Sequence, residues 1–140
     1  MKVTLDQART AIAATFAKGA EMGLNPLSAV VVDAGGHVIA FERQDGASPG
    51  RFAIAQGKAF GAVMLGMPGS AQFARAEQQA YFMSAVNGVF GGQVVPVPGG
   101  ILIKDGDTVI GALGVTGDTS DNDAEAGICL LYTSPSPRDS

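Results

Sequence analysis

Two β-rich stretches, each turned back on itself by a glycine turn, restrict this chain more than any other feature. Leu27 to Asp33 is rich in valine and leads into Asp33-Ala34-Gly35-Gly36, a tight-turn signal, and then into His37 to Arg43. Ile101 to Lys104, Asp105-Gly106 and Thr108 to Thr116 form a second hairpin. Connections this short pair neighbouring strands antiparallel, because parallel neighbours need a crossover of about a dozen residues or more. Alternation along the second strand predicts His37, Ile39, Phe41 and Arg43 on one face and Val38, Ala40, Glu42 and Gln44 on the other. Gly111 and Gly114 inside the last strand predict a bulge or a close backbone neighbour.

Helical patterns surround the hairpins. Thr4-Leu5-Asp6-Gln7 reads as a capping box, and Leu5, Ala8, Ile12 and Phe16 recur at helical spacing, so a helix runs to about Met22 with Gly23 as its stop. Ser48 and Pro49 read as N-cap and first residue of a helix reaching about Leu65. That helix contains Ala53, Ala55, Gly57, Ala59, Gly61 and Ala62. Each interior glycine costs roughly 1 kcal/mol relative to alanine, and the expected compensation is close approach to a sheet or a partner helix. Met67-Pro68-Gly69 breaks it, and a further helix is expected around Arg75 to Val86, ending at Asn87-Gly88. Pro96 and Pro98 leave room for an edge strand or none between Gly91 and Gly100. A last helix begins near Ser120. The order is that of an α+β fold, helices packed on an antiparallel sheet.

Composition narrows the function. The 140 residues suit one domain. Nine Lys+Arg against 13 Asp+Glu give a net charge of -4, which argues against nucleic acid as a partner. With 46% hydrophobic and 16% charged residues, the chain buries a sizeable core. One His and one Cys exclude a Cys/His zinc site or a disulfide framework within one chain. No signal-like N-terminus or membrane-length apolar run is present, so a cytoplasmic location is expected.

The last twelve residues, Cys129 to Ser140, do not belong with the rest. Pro135 and Pro137 forbid continuation of the helix that begins near Ser120, and Ser-Pro repeats favour extended chain. The string resembles a translated sequencing-adapter tail. The expected division is a domain over 1–128 and a non-native or disordered tail over 129–140. The only Cys lies in that tail, so the domain itself is expected to be cysteine-free and its redox compartment unmarked.

Taken in order, the hairpin motifs resemble the GlcG/HbpS-like family, the haem-binding, "haem-degrading" proteins. The resemblance rests on Val31-Val32-Asp33-Ala34-Gly35-Gly36-His37-Val38-Ile39-Ala40-Phe41, Arg43-x-Asp45-Gly46-Ala47 and Ile54-Ala55-x-x-Lys58-Ala59. It continues in Pro98-Gly99-Gly100-Ile101-Leu102-Ile103, in Val109 to Gly117 and in Asp121-x-Asp123. It implies a profilin-like antiparallel sheet with helices packed on it, and a bacterial homo-oligomer. It also implies a small-molecule ligand, haem or another tetrapyrrole, for some members. Others accompany catabolic genes without settled chemistry, which leaves open a small enzyme acting on a hydroxy-acid or carbonyl compound.

The candidate residues follow from chemistry. His37 is the sole imidazole, for an axial haem position or a general base; the plainer reading is a hydrogen bond at a hairpin end. Arg43, Asp45 and Lys58 suggest an anion site for a carboxylate or a haem propionate, or else an ion pair of Lys58 or Arg43 with Asp45. Asp45 and Lys58 are also catalytic candidates under the enzyme reading. Backbone amides at Thr116 and Gly117 are candidates for holding an anion. Asp121, Asp123 and Glu125 are metal candidates, but Ala126 stands where a calcium loop needs glycine; a capping box from Ser120 to Asp123 is the plainer reading. Phe73, Tyr81, Phe82 and Phe90, with Met64, Met67 and Met83, suit an apolar pocket, a core or a subunit interface.

Overall fold

The computed structural model describes residues 1–128, so the expected tail lies outside the described residues. Its elements are α1 (Leu5–Glu21), β1 (Ser28–Asp33), β2 (Val38–Arg43), α2 (Arg51–Leu65), α3 (Gly69–Gln78), α4 (Ala80–Val89), β3 (Gly100–Asp105), β4 (Thr108–Thr116) and α5 (Ser120–Ile128). The strands form one antiparallel sheet in the order β2-β1-β4-β3, an α+β arrangement. Each hairpin lies on one half, and β1 joins β4 to close them into a single surface.

Strand alternation divides the core. Ala29 and Val31 of β1 face one cluster with Ile12 of α1, Leu113 and Val115 of β4 and Ala126 of α5. Val30 and Val32 face the other, with Ala55, Ala59 and Ala62 of α2. The capping box of α1 forms as read: Thr4 accepts from the Gln7 N–H and Gln7 accepts from the Thr4 N–H.

The small residues of α2 have a specific use. Gly100 and Gly114 are paired across β3 and β4, and a Cβ at either would stand 2.4 Å from the Lys58 carbonyl oxygen or 2.1 Å from that of Ala55. The backbone of α2 therefore rests directly on the sheet. On its flank, a Cβ at Gly57 would stand 2.5 Å from Val95, whose N–H donates to the Gly57 carbonyl at 3.2 Å.

Four local expectations are corrected. In β2, Val32 pairs with Val38 but Val31 with Ala40, so Ile39 is an inserted bulge residue. Ile39 and Ala40 both pack towards α1 while Phe41 packs towards α2, so Ile39 and Phe41 do not share a face. Helix α2 starts at Arg51, capped by Gly50 with no side-chain bond, rather than at Pro49. The single helix expected over 75–86 is two: Gln79, at φ -139 and ψ 64, ends α3 and opens α4. Thr119, not Ser120, caps α5, its hydroxyl accepting from the Asn122 N–H at 3.2 Å.

Candidate functional site

The most confined charges are Lys58 and Asp123, 2% and 1% exposed. Helix α2 carries Lys58 over the glycine pair, so its ammonium emerges at the far edge of β4. There it donates to the Val115 carbonyl at 2.9 Å and to Asp123 Oδ2 at 3.2 Å. Asp123 Oδ1 accepts from the Asp118 N–H at 2.9 Å. Burial pushes the Lys58 amine down and is partly offset by Asp123; nearby Arg51 acts in the same direction as burial. Burial likewise pushes the Asp123 carboxyl up, against the Asp118 N–H and Lys58. The pair ties α2 to α5 across the end of the sheet. Asp45 is not its partner, contrary to one sequence expectation, because Asp45 lies exposed beyond β2 and no bond reaches it from Lys58.

His37 stands at the opposite end of the sheet, four residues along β4 from the Lys58 contact, roughly 13 Å at the usual rise. The turn holds Asp33 so that its Oδ1 accepts from the N–H groups of Gly35 at 2.9 Å and His37 at 3.0 Å. The His37 bond, then that of Gly35, keeps this carboxyl below its ordinary value against a small opposing burial. The same oxygen lies 3.3 Å from His37 Nδ1, and the ring is 83% exposed. One imidazole nitrogen is thus turned to a carboxylate and the other, Nε2, to the outside. The ring lies against Gly35. The turn residues Asp33 and Gly35, which His37 contacts, also line a hollow of about 470 Å³ together with Lys2, Val3, Ile39, Val109 and Ile110.

Arg43, at the other end of β2, is about 20 Å from His37 by the same rise, and is exposed. Thr116 is buried, and its hydroxyl accepts from Arg51 Nη1 at 2.9 Å. Gly117 has φ +142, and a Cβ there would stand 2.3 Å from the Pro26 carbonyl oxygen, so its glycine is conformational. The structure therefore brings Thr116 to Arg51, a residue the sequence reading passed over. The available signal was a cation in the first turn of a helix, where the dipole disfavours it.

The acidic run does not gather. Asp123 is committed to Lys58, while Asp121 and Glu125 are exposed. No group of three or more His, Cys, Asp or Glu disposed to hold a metal ion occurs among the described residues. Of the aromatic and Met set, Met83 is buried, whereas Phe73, Tyr81 and Phe82 are exposed on α3 and α4, with Arg75 over the Phe82 ring at 4.3 Å. Phe90 packs edge-on against Phe60 of α2. Among the described residues no helix is long and apolar enough to cross a membrane.

A family model described as "Haem degrading protein HbpS-like" matches residues 3–128. Among solved structures, a double mutant of HbpS from Streptomyces reticuli is 27% identical, covering 94% of this chain and 88% of that one, with a TM-score of 0.78. Protein ORFY of Klebsiella pneumoniae is 26% identical over 94% of this chain and 90% of its own, at a TM-score of 0.84. A complex of PduOC with heme has the same fold at 21% identity, 89% and 91% coverage and a TM-score of 0.77. Among curated proteins none matches.

Proposed function

The chain belongs to the HbpS-like family of haem degrading proteins, and on that premise we propose that it binds haem or a related tetrapyrrole, with His37 presented to the metal. One observation carries the assignment of the residue. The only imidazole of the chain is 83% exposed, with Nδ1 at 3.3 Å from Asp33 and Nε2 outward. A histidine that ligates a metal through one nitrogen is usually oriented by a carboxylate at the other. The adjacent hollow has apolar walls suited to a macrocycle and one cation, Lys2, for a propionate. When bound, haem supplies a redox-active iron whose potential is set by axial ligand and burial.

Lys58 has no part in this reading, being buried against Asp123, and Arg43 lies at the wrong end of β2. The enzyme reading finds less support: His37, Asp45 and Lys58 occupy separate places and share no bond. The proposal includes self-association, which the exposed Phe73, Tyr81, Phe82 and Val89 of α3 and α4 support; sedimentation of the intact chain tests it.

Titration of the protein with haemin, followed at the Soret band, tests the ligand. A saturable shift is expected, and its absence overturns the reading. His37→Ala is expected to change the spectrum of the bound state; an unchanged spectrum removes His37 as ligand.

A further inference from the structure

One row of polar side chains crosses the sheet away from the His37 hollow. Ser28 of β1 is paired on one side with Arg43 of β2 and on the other with Thr116 of β4. Alternation places Ser28 with Val30, and Arg43 with Phe41, on the face that α2 covers. Arg51 reaches the row from the first turn of α2 and donates to the Thr116 hydroxyl. Arg51 and the two hydroxyls thus share one row across the sheet beside the start of α2, with exposed Arg43 at its outer end.

Three features of this row lack a counterpart within the described chain. Neither arginine has a carboxylate within ion-pair distance among the described residues. Helix α2 opens with Gly50 as cap, no side-chain bond to its first N–H groups, and Arg51 in place of an acidic residue. A cation at that end opposes the helix dipole. Lastly, the Ser28 hydroxyl is fully buried and has no hydrogen-bond partner. Buried hydroxyls are nearly always paired, so this one marks a place where a polar atom is owed. An anion answers all three: it neutralises the arginines, satisfies the helix end and accepts from Ser28.

We propose that Arg43, Arg51, Ser28 and the first turn of α2 form a second ligand site, for a short dicarboxylate. Arg43 and Thr116 flank Ser28 on adjacent strands, so the Arg43 backbone and the Thr116 hydroxyl that Arg51 reaches stand on either side of β1, on strands roughly 10 Å apart at the sheet spacing. A single carboxylate satisfies one fork; two carboxylates on a short chain meet both. Phe41 and Phe52, in edge contact at 4.7 Å, form an apolar wall beside the row. Such a wall lowers the local dielectric and strengthens charge pairing.

Calorimetric titration of the intact protein with malonate and succinate, with acetate and inorganic phosphate as comparisons, tests the proposal. Saturable binding of a dicarboxylate is expected, at least about tenfold tighter than acetate or phosphate. Arg43→Ala and Arg51→Ala are each expected to weaken it about tenfold or more. Arg43 is exposed, so that variant keeps its fold, and circular dichroism verifies both. Ser28→Ala supplies opposite signs: a higher melting temperature without ligand, since an unpaired buried hydroxyl is removed, and weaker dicarboxylate binding. No saturable binding, affinity unmoved by both arginine variants, or phosphate binding as tightly as dicarboxylate would each overturn the assignment. Haemin binding to the same variants reads the His37 site separately.

Discussion

The Lys58 ammonium lies 3.2 Å from the Asp123 carboxylate across 65 residues of chain, with both side chains almost wholly out of water. Each half of such a pair is expensive alone. Removing one leaves the other buried without a counter-charge, at about 3–5 kcal/mol. Lys58→Met and Asp123→Leu are therefore each expected to destabilise by that amount. The double variant is expected to recover part of the loss, since no unpaired charge is then left buried, while the bulkier leucine at position 123 still has to be fitted into a closed site. Urea unfolding of the three variants measures this; a double variant as unstable as the sum of the singles would contradict it.

The glycine pair predicts opposite outcomes for one substitution type. Gly114→Ala sets a methyl 2.1 Å from the Ala55 carbonyl oxygen, backbone against backbone. A loss of about 3 kcal/mol or more is expected, as α2 must lift from the sheet. Gly88, inside α4, has nothing within 4 Å of an added Cβ. Gly88→Ala is expected to stabilise by up to about 1 kcal/mol through helix propensity and a less flexible unfolded chain. Thermal melts of both variants compare them directly.

If His37 carries haem, Asp33 is its orienting group, 3.3 Å from Nδ1. Asp33→Asn is expected to lower haemin affinity about 10–100-fold while the ring itself remains. An affinity equal to that of the unaltered protein would exclude this positioning role.

Acid should weaken the fold through Asp33 and Asp118. Both carboxyls are held below the ordinary value of 3.8, Asp33 chiefly by the His37 N–H and Asp118 chiefly by the Asn122 amide. With folded values depressed, the unfolded chain takes up protons first as the pH falls. Their contribution is fully present above the unfolded value and disappears as the pH falls through the folded values. Urea midpoints measured from neutral pH into the acid range are expected to drop, and less steeply in Asp33→Asn and Asp118→Asn.

Much of this architecture is written locally. The turn at Asp33 to Gly36, the turn at Asp105-Gly106 and the Thr4 cap each fix their structure within a few residues, and each forms as read. The division at Gln79 has no such sign, for neither glycine nor proline stands there. The bulge at Ile39 depends on β1 as partner, which periodicity along β2 alone does not contain. The site residues follow the same rule. Lys58 is conspicuous on a small-residue helix, yet its partner is set by how α5 returns to the sheet. Arg51 carries a sequence signal, a cation in the first turn of α2, but its meeting with Thr116 across 65 residues is set by how that helix lies on the sheet.

With the carbonyls of Ala55 and Lys58 set on Gly114 and Gly100, the layer between α2 and the sheet has no thickness to spare. A domain built this way has no room for a guest where α2 crosses those glycines. Whatever it holds is gripped at its margins, where strands end and helices begin, and where one end of the sheet can change its chemistry while the other keeps its own. The two ends of β2, His37 at one and Arg43 at the other, are thus free to be read by different ligands.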